Sequence, residues 1–169
     1  MEVRASSPVP HHQRSIMWQG KVESIHIATE AKAPMQSVSH ATAIPGVGLD
    51  GDRYATKQGT FYKPLPDREI TLIEVEAIEA FRRENGVEML PGEARRNVVT
   101  RGVPLNHLVE REFQVGEVKI RGIRLCEPCS HLEGLTGRPV VKGLSHRGGL
   151  RAQILSAGTI KVGDLVREL

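Results

Sequence analysis

From residue 112 onward the chain reads E-F-Q-V-G-E-V-K-I-R-G-I-R-L-C and, after a polar interval, L-R-A-Q-I-L-S-A-G-T-I-K-V-G-D-L-V. Apolar residues, many of them β-branched, come in bursts too short for a helical face, and glycine breaks them every few residues. Such bursts bury their apolar side only by pairing with one another. Short strands recurring at intervals of roughly 8–12 residues predict a β-barrel or sandwich rather than βαβ units. Two turns of similar make-up, Gly116-Glu117 and Gly163-Asp164, each follow an apolar residue and lead into Val or Leu.

The preceding stretch is less uniform. W-Q-G-K-V-E-S-I-H-I-A alternates imperfectly through Val22, Ile25 and Ile27 and predicts a first strand. A-I-P-G-V-G-L-D-G-D-R-Y is dense in glycine, so a loop is expected over residues 45–53. R-E-I-T-L-I-E reads as a strand. E-V-E-A-I-E-A-F-R-R-E-N-G places Val75, Ile78 and Phe81 or Arg82 on one face, with Asn85-Gly86 as a left-handed stop, and predicts a helix. L-P-G-E-A-R-R-N suggests a short helix or turn before a strand at N-V-V-T, and P-L-N-H-L-V a single turn. Residues 1–16, rich in Pro, Ser and His, are expected to be a mobile arm, leaving 17–169 as one domain.

Composition narrows the class. The chain has 169 residues, 39% hydrophobic and 25% charged, the ordinary range for one domain with a real core. No run approaches the roughly 18 apolar residues of a bilayer span, and the N-terminus lacks the apolar stretch of a signal peptide, so a cytoplasmic protein without membrane contact is expected. The net charge of +3 suits anionic ligands. It includes no dense basic block, and aromatics at 4% are too few for a base-stacking platform, so no nucleic-acid partner is expected.

Both cysteines lie in I-R-L-C-E-P-C-S-H-L-E-G, residues 123–134. A reducing compartment argues against a disulfide staple. Structural zinc needs four ligands, and beyond Cys126, Cys129 and His131 the fourth would have to come from His40, His107 or His146. A thioredoxin-like dithiol should open a helix early in a βαβ unit, whereas this pair follows a strand in an all-β stretch. Two buried core thiols are another reading, against which Glu127 and Pro128 speak. The remaining one is a loop at a strand end with one exposed thiolate, near Arg124, Arg138 and Arg147, a soft ligand that redox-active metals accept.

Four ordered segments carry a family resemblance: S-V-S-H-A-T-A-I-P-G-V-G-L-D-G-D-R-Y, G-E-A-R-R-N-V-V-T-R-G-V-P-L-N-H-L, L-C-E-P-C-S-H-L-E-G-L-T-G, and H-R-G-G-L-R-A-Q-I-L-S-A-G-T-I-K-V-G-D. Together they resemble the MOSC domain, named for the C-terminal domain of molybdenum-cofactor sulfurase and found also as small stand-alone bacterial proteins. The resemblance implies a mainly β fold, a β-barrel of the PK type with a few short helices. It implies too that a cysteine bonds the molybdenum of a molybdopterin-type cofactor or carries sulfur. Laid onto this chain, that residue is Cys129, with Thr136-Gly137 after it and Cys126 as its neighbour.

The same resemblance gives the other residues their expected roles. Arg95, Arg96 and Asn97 would face the phosphate end of the pterin. Arg53 would either pair with Asp52 to hold a loop or touch the ligand. Arg147, in His146-Arg147-Gly148-Gly149, would line a second anion-facing loop or sit in a plain connection. His131 would tune the thiolate or relay a proton. The implied activity is reduction of a small N-hydroxylated or N-oxide substrate at a Cys129-ligated metal. Electrons would come from a separate reductase, since two cysteines cannot hold a four-cysteine cluster and no G-x-G-x-x-G is present. The alternatives are a persulfide carrier or cofactor-handling module, and a non-catalytic anion-binding barrel. A homodimer is compatible with either.

Overall fold

The computed structural model describes residues 17–169; the arm expected over residues 1–16 lies outside them. Along the chain run β1 (Gln19–Ile27), β2 (Gln36–Val38), β3 (His40–Ile44), β4 (Gly48–Leu49), β5 (Ile70–Glu74), α1 (Val75–Asn85), β6 (Val98–Arg101), β7 (Glu112–Val115) and β8 (Val118–Leu125). They are followed by α2 (Ser130–Thr136), α3 (Val140–Gly143), β9 (Leu150–Ile154), β10 (Gly158–Lys161) and β11 (Leu165–Glu168). Single 3-10 turns occupy Pro66–Arg68, Pro91–Ala94 and Leu105–Leu108.

The expected barrel is present. Strands pair in the order β1, β11, β7, β8, β9, β5, β6 and back to β1, so seven of them close a ring. Closure depends on the length of β1. Its start, Gln19–Lys21, pairs with β11, its middle pairs with β6, and its end, Ile25–Ile27, pairs with β2. The register with β6 shifts between Val22 and Ser24, a bulge that bends the strand so it can serve successive neighbours. β3, β4 and β10 form a small separate sheet. Side chains fill the barrel: Val22, Ile25, Leu72, Val98, Phe113, Ile120, Leu150 and Val166 are all buried in one cluster.

A second apolar layer lies outside the barrel wall, where Ile73, Ile78, Phe81, Val99, Leu132, Val140 and Leu144 pack together. β5 and β6 belong to both layers. Leu72 and Val98 point inward while their neighbours Ile73 and Val99 point outward, the period-2 consequence of a strand buried on both faces. α1 buries Val75, Ala77, Ile78 and Phe81, so Phe81 rather than Arg82 completes its apolar face, and Gly86 ends it at φ 64°.

Three expectations need correction. β5 and β6 are parallel and joined by α1, so one βαβ unit exists in a chain expected to have none. The loop over 45–53 contains the two-residue strand β4, paired with β3. The stretch after Leu125 is not all-β: α2 and α3 interrupt it. Each is too short to show a helical period, and Leu132 is the only buried residue of α2. The dithiol argument loses one of its premises, because the cysteine pair does open a helix, with Cys129 as its N-cap.

Candidate functional site

Strand β8 carries the chain to the cysteines. Past Leu125 the ladder with β9 is prolonged by the Cys126 N–H, which donates to Gly149 O at 2.7 Å. That pairing fixes Cys126, which is buried, whereas Cys129 is exposed. α2 starts directly after Cys129 and is anchored through Leu132 in the outer core. The Glu133 carboxylate of α2 accepts from Val141 N–H at 3.0 Å, and Arg138 beyond the helix pairs with Glu93 at 3.0 Å. The thiol of Cys129 is therefore presented from a short helix held at three points. In the first turn the His131 ring stands edge-on to the Phe61 ring, centroids 5.2 Å apart.

The arginines arrive from two other elements. Arg95 adopts a left-handed φ of 57° at the end of the Pro91–Ala94 turn, and Arg96 follows it toward β6. Arg96 is buried, and its guanidinium donates to Gly148 O at 2.8 Å and to Cys126 O at 3.2 Å. Arg95 donates to Ala33 O at 2.7 Å. Burial, with the neighbouring Arg53 charge, holds its guanidinium below the ordinary arginine value. Arg53 takes the first of its expected roles, the pair with Asp52 that holds a loop. It pairs with buried Asp52 at 3.2 Å, lies 4.9 Å from the Tyr54 ring centre, and also lines the hollow described next. Asp52 earns its burial by also accepting from the Ala28 and Tyr54 N–H groups, which pins the loop to the end of β1.

These groups surround a hollow of about 70 Å³ lined by Cys126, Cys129, His131, Arg53, Arg95 and Arg96, with Lys32, Arg151, Phe61 and Leu135 among the rest. Lys32, Arg95 and Leu135 also line a longer groove of about 660 Å³ between the end of β1, β2 and the Pro91–Ala94 turn. Buried His26 faces that groove. Its Nε2 lies 2.8 Å from Ser24 Oγ, and burial lowers its pKa.

Five of the residues expected at the site thus converge: Cys129, His131, Arg53, Arg95 and Arg96. Asn97 and Arg147 do not line the hollow. Asn97 is buried, with its amide oxygen accepting from Thr71 N–H and Oγ1 at 3.1 and 3.2 Å and its nitrogen donating to His26 O at 3.2 Å, so it knits β1, β5 and β6 together. Arg147 binds Gly143 O and the Glu84 carboxylate. Sequence reading missed Lys32, Arg151, Phe61 and Leu135. Arg151 lay inside a segment already singled out, but Lys32 and Phe61 sit in loops that carry no periodic or motif signal. Among the described residues no three His, Cys, Asp or Glu side chains converge as a metal site, so His40, His107 and His146 do not complete a zinc site with the cysteines.

Among solved structures, the chain resembles the YuaD protein from Bacillus subtilis with a TM-score of 0.73 at 19% identity, covering 89% of this chain and 97% of that one. YiiM from Geobacillus stearothermophilus matches with a TM-score of 0.69 at 15% identity, over 89% of this chain and 75% of that one. YiiM from Escherichia coli gives 0.64 at 16%, over 91% and 70%. Among curated proteins nothing matches. The model of the MOSC domain matches residues 48–167, which takes in β4 through all but the last residue of β11, both cysteines and every arginine of the hollow, and the chain belongs to the MOSC domain family.

Proposed function

We propose that residues 17–169 act as one molybdenum-cofactor-binding unit, with Cys129 as the protein ligand of the metal, that reduces N-hydroxylated or N-oxide substrates. The observation that carries this reading is the placement of Cys129: an exposed thiol on a cation-lined hollow that shares Lys32, Arg95 and Leu135 with a larger groove. The hollow alone is too small for a fused-ring cofactor, while the groove falls in the usual range of roughly 300–1,000 Å³ for such ligands. Lys32 and Arg95 stand where the two spaces meet and suit an anionic phosphate tail. With no cluster of further side-chain ligands among the described residues, a metal on Cys129 would take its other ligands from the cofactor.

When bound, the cofactor supplies a metal-centred two-electron couple. The chain's residues would do the rest. Cys129 would anchor the metal, and the His131 imidazole would move a proton. Phe61 and Leu135 line the hollow with apolar surface and limit water there. Electrons would reach the site from a separate reductase, in a cytoplasmic setting; no described helix is long and apolar enough to cross a membrane.

The test is expression of the whole chain in cells that make the pterin, followed by metal analysis and fluorescence of the oxidised pterin. Wild type should retain both, and Cys129→Ser should lose molybdenum. Full metal content in that variant would refute the assignment. Sulfur bound to Cys129 without metal or pterin would place the chain with persulfide carriers instead.

A further inference from the structure

The hollow beside Cys129 has a charge imbalance that the fold answers only in part. Lys32, Arg53, Arg95, Arg96 and Arg151 line it against a single carboxylate, Glu127, which lies 3.5 Å from the His146 ring. Asp52 answers Arg53 at 3.2 Å. Lys32, Arg95, Arg96 and Arg151 form no ion pair within 4 Å among the described residues, and of the four only Arg151 feels a carboxylate at longer range that is not shared with Arg53, that of Asp67. Arg96 is 8% exposed and satisfies its Nε and Nη2 with carbonyls, which are dipoles and not countercharges, while Nη1 makes no hydrogen bond among the described residues. Packing like charges this way costs free energy that a bound anion would offset; burial first, and the Arg53 charge second, lower the pKa of Arg95. Size restricts the anion. About 70 Å³ admits one small polyatomic ion or a few waters. Planar guanidinium groups favour oxyanions, which they bind through paired N–H donors.

We infer that the hollow of the cofactor-free protein binds one small tetrahedral oxyanion of the phosphate, sulfate or molybdate class, held by Lys32, Arg95, Arg96 and Arg151 with Cys129 at its edge. This goes beyond the molybdenum reading and does not rest on it, because an inorganic anion requires neither a metal–sulfur bond nor a pterin.

The test uses the full chain prepared without metal or pterin, in sodium phosphate, sulfate or molybdate against sodium chloride of matched ionic strength. Two readouts are followed: the melting temperature, and the rate at which a neutral alkylating reagent labels Cys129, read by peptide mass. At ten times the half-saturating concentration, mass action predicts a Tm rise of roughly 3–6 °C and labelling slowed about tenfold. Lys32→Gln with Arg151→Gln, which spares the carbonyl contacts of Arg96, should raise the half-saturating concentration about tenfold in both readouts. Multivalent anions also stabilise proteins by exclusion from their surface. A Tm rise equal in wild type and the double variant, without protection of Cys129, would be that general effect and would overturn the inference. So would unchanged behaviour in all three anions, or a response to molybdate alone, which would mark metal–thiol bonding instead of recognition of an oxyanion.

Discussion

Arg96 and Cys126 are joined by a hydrogen bond from a buried guanidinium to a main-chain carbonyl, Nη2 to O at 3.2 Å, while Nε of the same arginine holds Gly148 O at 2.8 Å. One side chain from the approach to β6 thereby ties the exit of β8 to the entry of β9, and the thiol segment hangs between them. Hydrogen bonds to a charged group contribute about 1.5–3 kcal/mol each. Arg96→Gln should lower unfolding free energy by about 2–4 kcal/mol in denaturant titrations. Arg95→Gln, whose single bond goes to Ala33 O, should cost less than half as much.

His26 gives folding stability a pH dependence. Its ring is buried beneath the groove, and burial lowers its pKa in the folded state. Below its ordinary value of 6.5 the unfolded chain therefore binds a proton that the folded chain resists. The unfolded state holds more protons in that window, so stability rises with pH there. His26 contributes fully above pH 6.5, and its contribution is lost as pH falls toward the folded-state value. Unfolding curves from pH 8 down to 5 should show this loss in wild type and a flatter profile in His26→Gln. Equal slopes in the two proteins would refute it.

How much of this was legible in the sequence depended on the kind of signal. Strands β7 through β11 and helix α1 announced themselves, because alternation and the Asn85-Gly86 stop are local. The strands β2 and β3 did not: five of the nine residues in Q-S-V-S-H-A-T-A-I are polar, and the two that β3 buries, Ala41 and Ala43, have side chains too small to give a strong apolar signal. α2 hid for a different reason, since seven residues with one buried leucine have no period to read. At the site, residues beside the cysteines or in motif segments were found, whereas Lys32 and Phe61 reach the hollow only through long-range loop packing. Asn97 shows the converse. Its place beside Arg96 suggested a ligand contact, but a strand start puts successive side chains on opposite sides, and Asn97 is spent on Thr71 and His26.

Leu132 is the residue that converts packing into position for Cys129. It is 4% exposed in the outer core and is the sole buried side chain of α2. Truncating a buried leucine costs about 2–5 kcal/mol. Leu132→Ala should destabilise the protein within that range and release α2, so that Cys129 is alkylated faster even at temperatures where the barrel remains folded. Leu135→Ala, at 39% exposure on the same helix, should change stability by about 0.5 kcal/mol or less.

Gly148 and Gly134 give opposite tests of the thiol segment. A Cβ on Gly148 would stand 2.5 Å from Cys126 O and 3.1 Å from Pro128 N, both backbone atoms of a segment held at Cys126 by Arg96 and Gly149 and unable to yield cheaply. Gly148→Ala must therefore push the C-E-P-C segment away from β9, with a cost of about 1–3 kcal/mol for overpacking. The displacement should also change the alkylation rate of Cys129 relative to wild type. Gly134, within α2, has open space where its Cβ would be. Gly134→Ala should stabilise the protein by about 0.5–1 kcal/mol through helix propensity alone. Its thiol reactivity should stay unchanged, since a methyl group there touches nothing that positions the cysteine. If both alanines alter thiol reactivity alike, the short helix and not the β8–β9 junction governs where Cys129 sits.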